Sequence, residues 1–324
     1  MAPSPVVEAA RLLREGELVA FPTETVYGLG ADAANAAAVA KIFALKGRPA
    51  GHPVIVHVAN FDAAARWARE LPHAAHTLAE RFWPGPLTMI LTKRSSVPAA
   101  VTGGEGTVGI RCPSHRMAQA LLREFARGGS GAIAAPSANR FGHVSPTTAQ
   151  HVRDEFGTDL YVLDGGACEV GLESTIVDLS RGAPVLLRPG AIGRAALAEA
   201  LGEEPRERDA HAPRASGTLA SHYAPRTPLV LVDGKTVDAL ARAGAEAAVL
   251  AMRDPPEGVE VAAWIVASGD AGSYGHDLYA NLRRLDASDA KRIVVEAPPD
   301  EPAWEAVNDR LQRAAAAGDA GDET

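Results

Sequence analysis

Short apolar runs of four to six residues alternate along the chain with longer segments whose apolar positions recur every three or four residues. The first pattern predicts buried strands and the second amphipathic helices. Ser4-Pro5 reads as a cap and first helical position, and Gly16 closes that helix. Strand 17–21 follows and ends at Pro22. Asn35 caps a helix running to about Lys46. The run from Pro53 to Val58 is a buried strand, and helices near 62–70 and 73–82 come next. Trp83-Pro84-Gly85-Pro86 breaks the chain before strand 87–93. Strand 107–111 leads to Ser114 as the cap of a helix ending near Arg127. Strand 131–135 ends in Pro136-Ser137-Ala138-Asn139, and Ser145-Pro146 starts a helix that Gly157 stops. Strands near 160–164, 174–179 and 184–188 follow, the last two a hairpin turned at Arg181-Gly182. A helix near 193–201 completes the first unit.

Residues 202–228 lose this periodicity, carry mixed charges and four prolines, and read as a linker. The domain reading is therefore 1–201, a linker at 202–228, and a second domain at 229–324. That second domain carries strand 229–232, a helix near 235–244, strands 247–251 and 261–265, helix 276–285, strand 292–295 and helix 303–315. Alternating strands and helices predict a small doubly wound α/β fold. The alanine-rich tail after residue 314 is expected to fray.

The 324 residues suffice for two cores, and a hydrophobic share of 47% is ordinary for a globular protein. A net charge of -8 argues against a broad nucleic-acid grip, so any anion site is a local basic pocket. The two cysteines, Cys112 and Cys168, form no C-x-x-C pair, which fits a reducing cytosol and excludes a spaced zinc site. No basic-then-apolar leader opens the chain, and no apolar run reaches 18 residues. The expectation is a cytoplasmic protein without a membrane span.

The densest chemistry lies in Phe21-Pro22-Thr23-Glu24-Thr25-Val26-Tyr27-Gly28-Leu29-Gly30, with Lys46-Gly47-Arg48-Pro49 one helix later. Hydroxyls and a carboxylate crowd the end of a strand, where open α/β sheets bind ligands. The cationic pair supplies charge for an anion. Gly28-x-Gly30-x-x-Ala33 and Gly104-x-Gly106-x-x-Gly109 mimic a dinucleotide fingerprint, but neither runs from a strand into a helix, so nicotinamide or flavin binding is set aside. The two glycines at 28 and 30 are expected to serve a tight turn. Gly234-Lys235-Thr236 lacks the first P-loop glycine and reads as a helix start. Arg111 and Arg188 each follow a buried strand, where the stem is held for a bidentate grip on carboxylate or phosphate. Taken alone, either reads as an exposed strand-end charge, Ser145 as a plain cap and His57 as a satisfied core histidine. Together, five strand ends each deliver a hydroxyl, cation or imidazole, while no Ser-His-Asp order, metal-ligand spacing or paired-carboxylate signature is found. Chemistry that runs on positioning and charge stabilisation, such as nucleotidyl or phosphoryl transfer, fits best.

These motifs resemble the YrdC-like threonylcarbamoyl-AMP synthases in their two-domain form. The matching segments are PTETVYGLG (22–30), KIFALKGRP (41–49), HPVIVHV (52–58), FWPGPLT (82–88), TVGIRCP (107–113), APSANRFGHVSPT (135–147), ESTIVDL (173–179), LLRPGAI (186–192) and SHYAP (221–225). The resemblance implies a twisted mixed open sheet with flanking helices and a small Rossmann-like accessory domain. It also implies synthesis of threonylcarbamoyl-AMP and pyrophosphate from L-threonine, bicarbonate or CO2, and ATP with Mg2+, for tRNA threonylcarbamoyladenosine at position 37. Thr25, His57, Arg111, Ala135 and Ser174 would line the threonine side. Arg48, His52, Thr107, Ser137, Ser145, Arg188 and the linker Tyr223 would meet ATP. Lys46, Arg48 and Arg111 would carry the catalytic charge, and Asn139 would position phosphate or Mg2+. No dedicated protein cluster for a metal is implied. The implied partner is the downstream threonylcarbamoyl-transfer machinery; direct tRNA contact is not indicated by the charge. The linker departs from the family pattern at Ala215-Ser216-Gly217-Thr218-Leu219, and the accessory domain departs at Glu301-Pro302-Ala303-Trp304. The competing reading is an RNA-binding module of the same fold without adenylation activity, against which the net charge and the lack of interleaved basic and aromatic residues count. A carbamoyl-phosphate-using relative would add cysteine-rich zinc modules, which this sequence lacks.

Overall fold

The computed structural model describes residues 4–219, 221–243 and 246–319. The chain forms two compact units. The first is built from the described residues up to Phe141, with Pro146–Glu169 and Glu173–Thr218. The second takes Gly142–Ser145, Val170–Leu172 and the described residues from Leu219 onward. Residues 202–218, expected to begin a linker, thus belong to the first unit.

The first unit runs α1 (Pro5–Arg14), β1 (Val19–Phe21), β2 (Gly28–Asp32), α2 (Ala36–Lys46), β3 (Ile55–Val58), α3 (Phe61–Ala64), α4 (His73–Phe82), β4 (Leu87–Thr92), α5 (Ala99–Thr102) and β5 (Thr107–Arg111). It continues with α6 (Arg116–Ala126), β6 (Ala132–Ala134), α7 (Ala149–Phe156), β7 (Tyr161–Val162), β8 (Thr175–Asp178), β9 (Val185–Arg188) and α8 (Arg194–Leu201). The nine strands form one mixed sheet in the order β7-β1-β2-β6-β3-β5-β4-β8-β9. Parallel pairs (β1–β7, β3–β5, β4–β8) are interspersed with antiparallel ones.

Strand alternation divides the side chains between two layers. On one face Val56, Val58, Val108, Ile110, Leu87, Met89 and Val177 pack with Val39 and Ile42 of α2, Leu78 of α4, Val152 of α7 and Leu197 of α8. On the other, α1 and α6 cover only Val19, Phe21, Ile133 and their neighbours at one end of the sheet. The middle of that second face carries polar groups beside a smaller apolar cluster of Ile55, Ile90, Ile176, Val185 and Leu187.

Four local expectations are corrected. Gly28 and Gly30 lie in β2, paired to β1, not in a turn. Their missing side chains permit close packing: a Cβ on Gly30 would sit 2.7 Å from Ile133 Cγ2 and 2.9 Å from Phe21 Cε1. Ser145-Pro146 starts no helix. The Pro146 carbonyl instead accepts the Tyr27 N–H at 2.9 Å, and Thr148 caps α7 by accepting from His151 N–H. Ser114 does not cap α6. Its N–H donates to Glu24 Oε2, and His115 Nδ1 accepts from Met117 N–H in its place. The helix expected at 62–70 makes one α-helical turn; Arg66 and Trp67 N–H then bond three residues back, to the Ala63 and Ala64 carbonyls, and Arg69 N–H bonds the Thr92 carbonyl at the end of β4.

The second unit contains β10 (Leu229–Val232), α9 (Gly234–Arg242), β11 (Ala247–Ala251), β12 (Ala263–Val266), α10 (Ala271–Asp286), β13 (Arg292–Glu296), a 3-10 turn at Pro302–Trp304 and α11 (Glu305–Asp319). Its four strands are all parallel, in the order β10-β13-β11-β12. The α/β expectation holds. Gly234-Lys235-Thr236 is a helix start, with Asp233 Oδ1 accepting from Thr236 N–H at 2.8 Å. Of the tail, residues 315–319 continue α11, and the remainder lies outside the described residues.

Candidate active site

Cross-strand register assembles the site. His57 of β3 pairs with Arg111 of β5, Arg111 with Thr88 of β4, Thr88 with Ile176 of β8, and Ile176 with Arg188 of β9. Residues opposite one another share a face, so one row carries an imidazole, two guanidiniums and a hydroxyl across five strands. The next row on this face includes Ile55, Gly109 and Ile90. Ile55, Ile90, Ile176, Val185 and Leu187 cluster under Ala215. Ser216 Oγ donates to the Pro53 carbonyl at 2.9 Å, and Arg214 reaches the carbonyls of Gly51 and Gly103 at 2.8 and 3.0 Å. Residues 214–216 thus form a strap over the polar row's apolar border.

Arg111 is buried, and its Nη2 lies 2.7 Å from Glu24 Oε1, both side chains being at most 5% exposed. The separation is that of an ion pair, but the N–H direction is poor, and Arg111 Nε, Arg111 Nη2 and Glu24 Oε1 have no aligned hydrogen bond. His57 stands edge-on to Phe21 at 5.8 Å, and its Nδ1 has no hydrogen-bond partner. Burial, then the Arg111 charge, pushes its pKa down to about 3, so the ring is neutral. In the turn between β1 and β2, Thr23 Oγ1 donates to the Val26 carbonyl at 2.6 Å and lies 2.9 Å from Thr25 Oγ1, which is fully buried. Ser174 Oγ lies 2.7 Å from Thr88 Oγ1. Arg188 clamps the same serine: Nε and Nη2 donate to its carbonyl at 3.1 and 2.9 Å, and Nη1 donates to the Ser216 carbonyl at 2.9 Å. Ala135 continues from β6, its N–H bonded to the Ile55 carbonyl.

Lys46, at the end of α2, is buried and donates to the carbonyls of Ser137 and Asn139. It therefore holds the Pro136–Asn139 loop, which also bridges to β2 through Gly28 and Ser137. Burial and the neighbouring Arg48 drive the Lys46 pKa well below its usual value. Arg48 is half-buried, donates to the Pro53 carbonyl at 3.0 Å and lies over the Phe43 ring. The His52 ring rests 5.7 Å from Phe141, its pKa lowered by burial and by Arg48 and Arg214. Thr107, half-buried, opens β5 opposite Thr92. Asn139 Nδ2 donates to the Arg140 carbonyl at 2.7 Å. Among the described residues no group of three or more His, Cys, Asp or Glu is placed to hold a metal ion.

Residues 11–190 match the Sua5_yciO_yrdC family model, described as Telomere recombination, and residues 192–316 match the Threonylcarbamoyl-AMP synthase C-terminal domain. The chain belongs to the Sua5/YciO/YrdC family. It is 39% identical to the threonylcarbamoyl-AMP synthase of Pyrococcus abyssi, over 94% of this chain and 92% of that protein. It is also 39% identical to the Bacillus subtilis enzyme of the same name, over 96% and 92%. The crystal structure of P. abyssi Sua5 complexed with L-threonine superposes with a TM-score of 0.87 at 36% identity, covering 97% of this chain and 94% of that one.

For this Sua5/YciO/YrdC chain, Thr25, His57, Arg111, Ala135 and Ser174 all lie in the first unit, as do Lys46, Arg48, His52, Thr107, Ser137, Asn139 and Arg188. His57, Arg111 and Arg188 share one row, and Ser174 is tied to it through Thr88 and Arg188. Ser145 and Tyr223 belong to the second unit. There Tyr223 is buried at a φ of 64°, its ring stacked 5.8 Å from Tyr279 and covered by the Arg310 guanidinium at 5.2 Å. Ala224 N–H next to it bonds the Gly142 carbonyl, and Ser145, three residues further on, is fully buried. Sequence reasoning gave no role to Glu24, Thr88, Arg214 or Ser216. Glu24 stood in view inside PTETVYGLG. Thr88 ends the FWPGPLT segment, but only strand register shows that it faces the site.

Proposed function

We propose that the chain is a threonylcarbamoyl-AMP synthase, converting L-threonine, bicarbonate and ATP into threonylcarbamoyl-AMP, pyrophosphate and water. The reading rests on family membership over both units and on a full-length relative solved with L-threonine. The observation that carries it here is Arg111: a buried guanidinium on a hydroxyl-lined sheet face, with two nitrogens lacking aligned acceptors. Such a group takes a substrate carboxylate in bidentate fashion.

In this reading Arg111 holds the threonine carboxylate, and Thr25 and Ser174 supply hydroxyls for the side chain. Neutral His57 and the Ala135 backbone line the same face. Carboxylation of the amine gives a carbamate, already an anionic nucleophile, so no strong base is required for attack on the α-phosphorus. Arg48, His52, Thr107 and Ser137 contact the nucleotide. Lys46 acts through the loop it holds and Arg188 mainly through Ser174, while Arg48 and Arg188 add positive charge where pyrophosphate departs. Mg2+ brought in with ATP would be held by the nucleotide's phosphates rather than by a protein cluster, and would supply positive charge there. Asn139 positions that phosphate–metal end. The product is consumed by a tRNA-modifying partner, placing the protein in the cytoplasm.

The test is pyrophosphate release from ATP. It should require both L-threonine and bicarbonate. Release that is indifferent to threonine contradicts the reading.

A further inference from the structure

In the buried site Arg111 Nη2 and Glu24 Oε1 lie 2.7 Å apart without an aligned hydrogen bond, and Arg111 Nε has no hydrogen-bond partner. A buried donor left without a partner costs about 1–3 kcal/mol, so Arg111 Nε and the poorly aligned pair beside it mark a position open to a ligand. The other carboxylate oxygen, Glu24 Oε2, is already fixed by Ser114 N–H at 3.1 Å, which holds the side chain in its orientation. A carboxylate oxygen accepts two hydrogen bonds, so Oε1 retains capacity beside Arg111. Recognition of a carboxylate by Arg111 alone gives no reason to bury a second carboxylate 2.7 Å away. That neighbour repels an incoming anion and occupies one side of the guanidinium.

The conflict disappears if the ligand carries both signs. We propose that Glu24 Oε1 receives the α-ammonium of the amino-acid substrate while Arg111 takes its carboxylate, so that the pair selects a zwitterion and rejects simple hydroxy acids. The inference rests on the threonine reading of the site. It adds a specificity-determining residue and a chemical rule for the substrate. The site's own pair is electrically neutral, as is the zwitterion, and each charge finds its opposite. An acid without the ammonium leaves Glu24 facing a second carboxylate.

The experiment is isothermal titration of the full-length protein, without ATP or bicarbonate, with L-threonine and with 3-hydroxybutanoate, which is threonine lacking its ammonium. The wild type should prefer threonine by at least about 100-fold, a floor set below the roughly 10⁴–10⁵ by which a site built to bond a polar group rejects the analogue lacking it. Glu24→Gln should weaken threonine and leave 3-hydroxybutanoate unchanged or tighter, bringing the preference below about 10-fold, since the neutral amide removes the repulsion. Equal wild-type affinity for the two ligands overturns the inference without need of any variant. Equal weakening of both ligands in Glu24→Gln also overturns it, because Glu24 then does no more than orient Arg111. Failure of the wild type to bind threonine at all is a separate result, and removes the threonine reading itself.

Discussion

At the scale of single residues, the site depends on charges held where water cannot relax them. Arg111 was legible in the sequence as a strand-end arginine, but its partner was not, because pairing with Glu24 is made by folding and leaves no spacing signal. Arg111→Ala should lower threonine-dependent turnover roughly 10²–10³-fold, the usual cost of losing one such electrostatic contact. The fold should be retained, as judged by circular dichroism. His57, read first as a core histidine, is buried and neutral, with a pKa near 3 in the folded protein. The unfolded imidazole titrates near 6.5, so between these values the unfolded chain binds the extra proton. Its stabilisation is complete above about pH 6.5 and is lost as the pH falls toward 3. Urea unfolding of His57→Asn between about pH 6.5 and 5 should show a slope of stability against pH shallower by up to about 1.4 kcal/mol per unit. An unchanged slope would show that His57 is protonated or exposed.

At the scale of elements, long periodic segments were legible and short irregular ones were not. The strands at 107–111, 229–232 and 247–251 and the helix at 73–82 fall where apolar period and caps placed them. β2 was missed because Gly28 and Gly30 have poor strand propensity; tertiary packing against Phe21 and Ile133 selects them instead. The same packing yields a prediction. Gly30→Ala forces a methyl to within 3 Å of both neighbours and should destabilise the first unit by about 1–3 kcal/mol, read as a fall in denaturation midpoint. Ser145 and Ser114 were credited with caps that Thr148 and His115 supply, because Pro146 beside the first and the N–H of the second bond partners far away in sequence, Tyr27 and Glu24. Local pattern cannot report such partners.

For the whole molecule, composition and motif order gave two α/β units and the family, and the structure adds where residues 202–218 belong. Low periodicity made that segment read as a linker, yet Ala215 is buried on Ile55, Ile90 and Leu187, and Ser216 joins Arg188 to Pro53. Contacts of this kind, made by one alanine and backbone carbonyls, have no hydropathy signature. Ala215→Asp buries an unpaired charge and should lower the thermal midpoint while weakening nucleotide-dependent turnover, measured together; a surface linker would tolerate the change within about 0.5 kcal/mol. The central claim is that the protein links threonine to AMP through a carbon taken from bicarbonate. Mass spectrometry of a reaction containing 13C-bicarbonate, L-threonine and ATP tests it most directly. The account predicts an AMP adduct that contains threonine and one labelled carbon. An adduct without the label, or ATP consumed with no threonine-containing adduct, would contradict it.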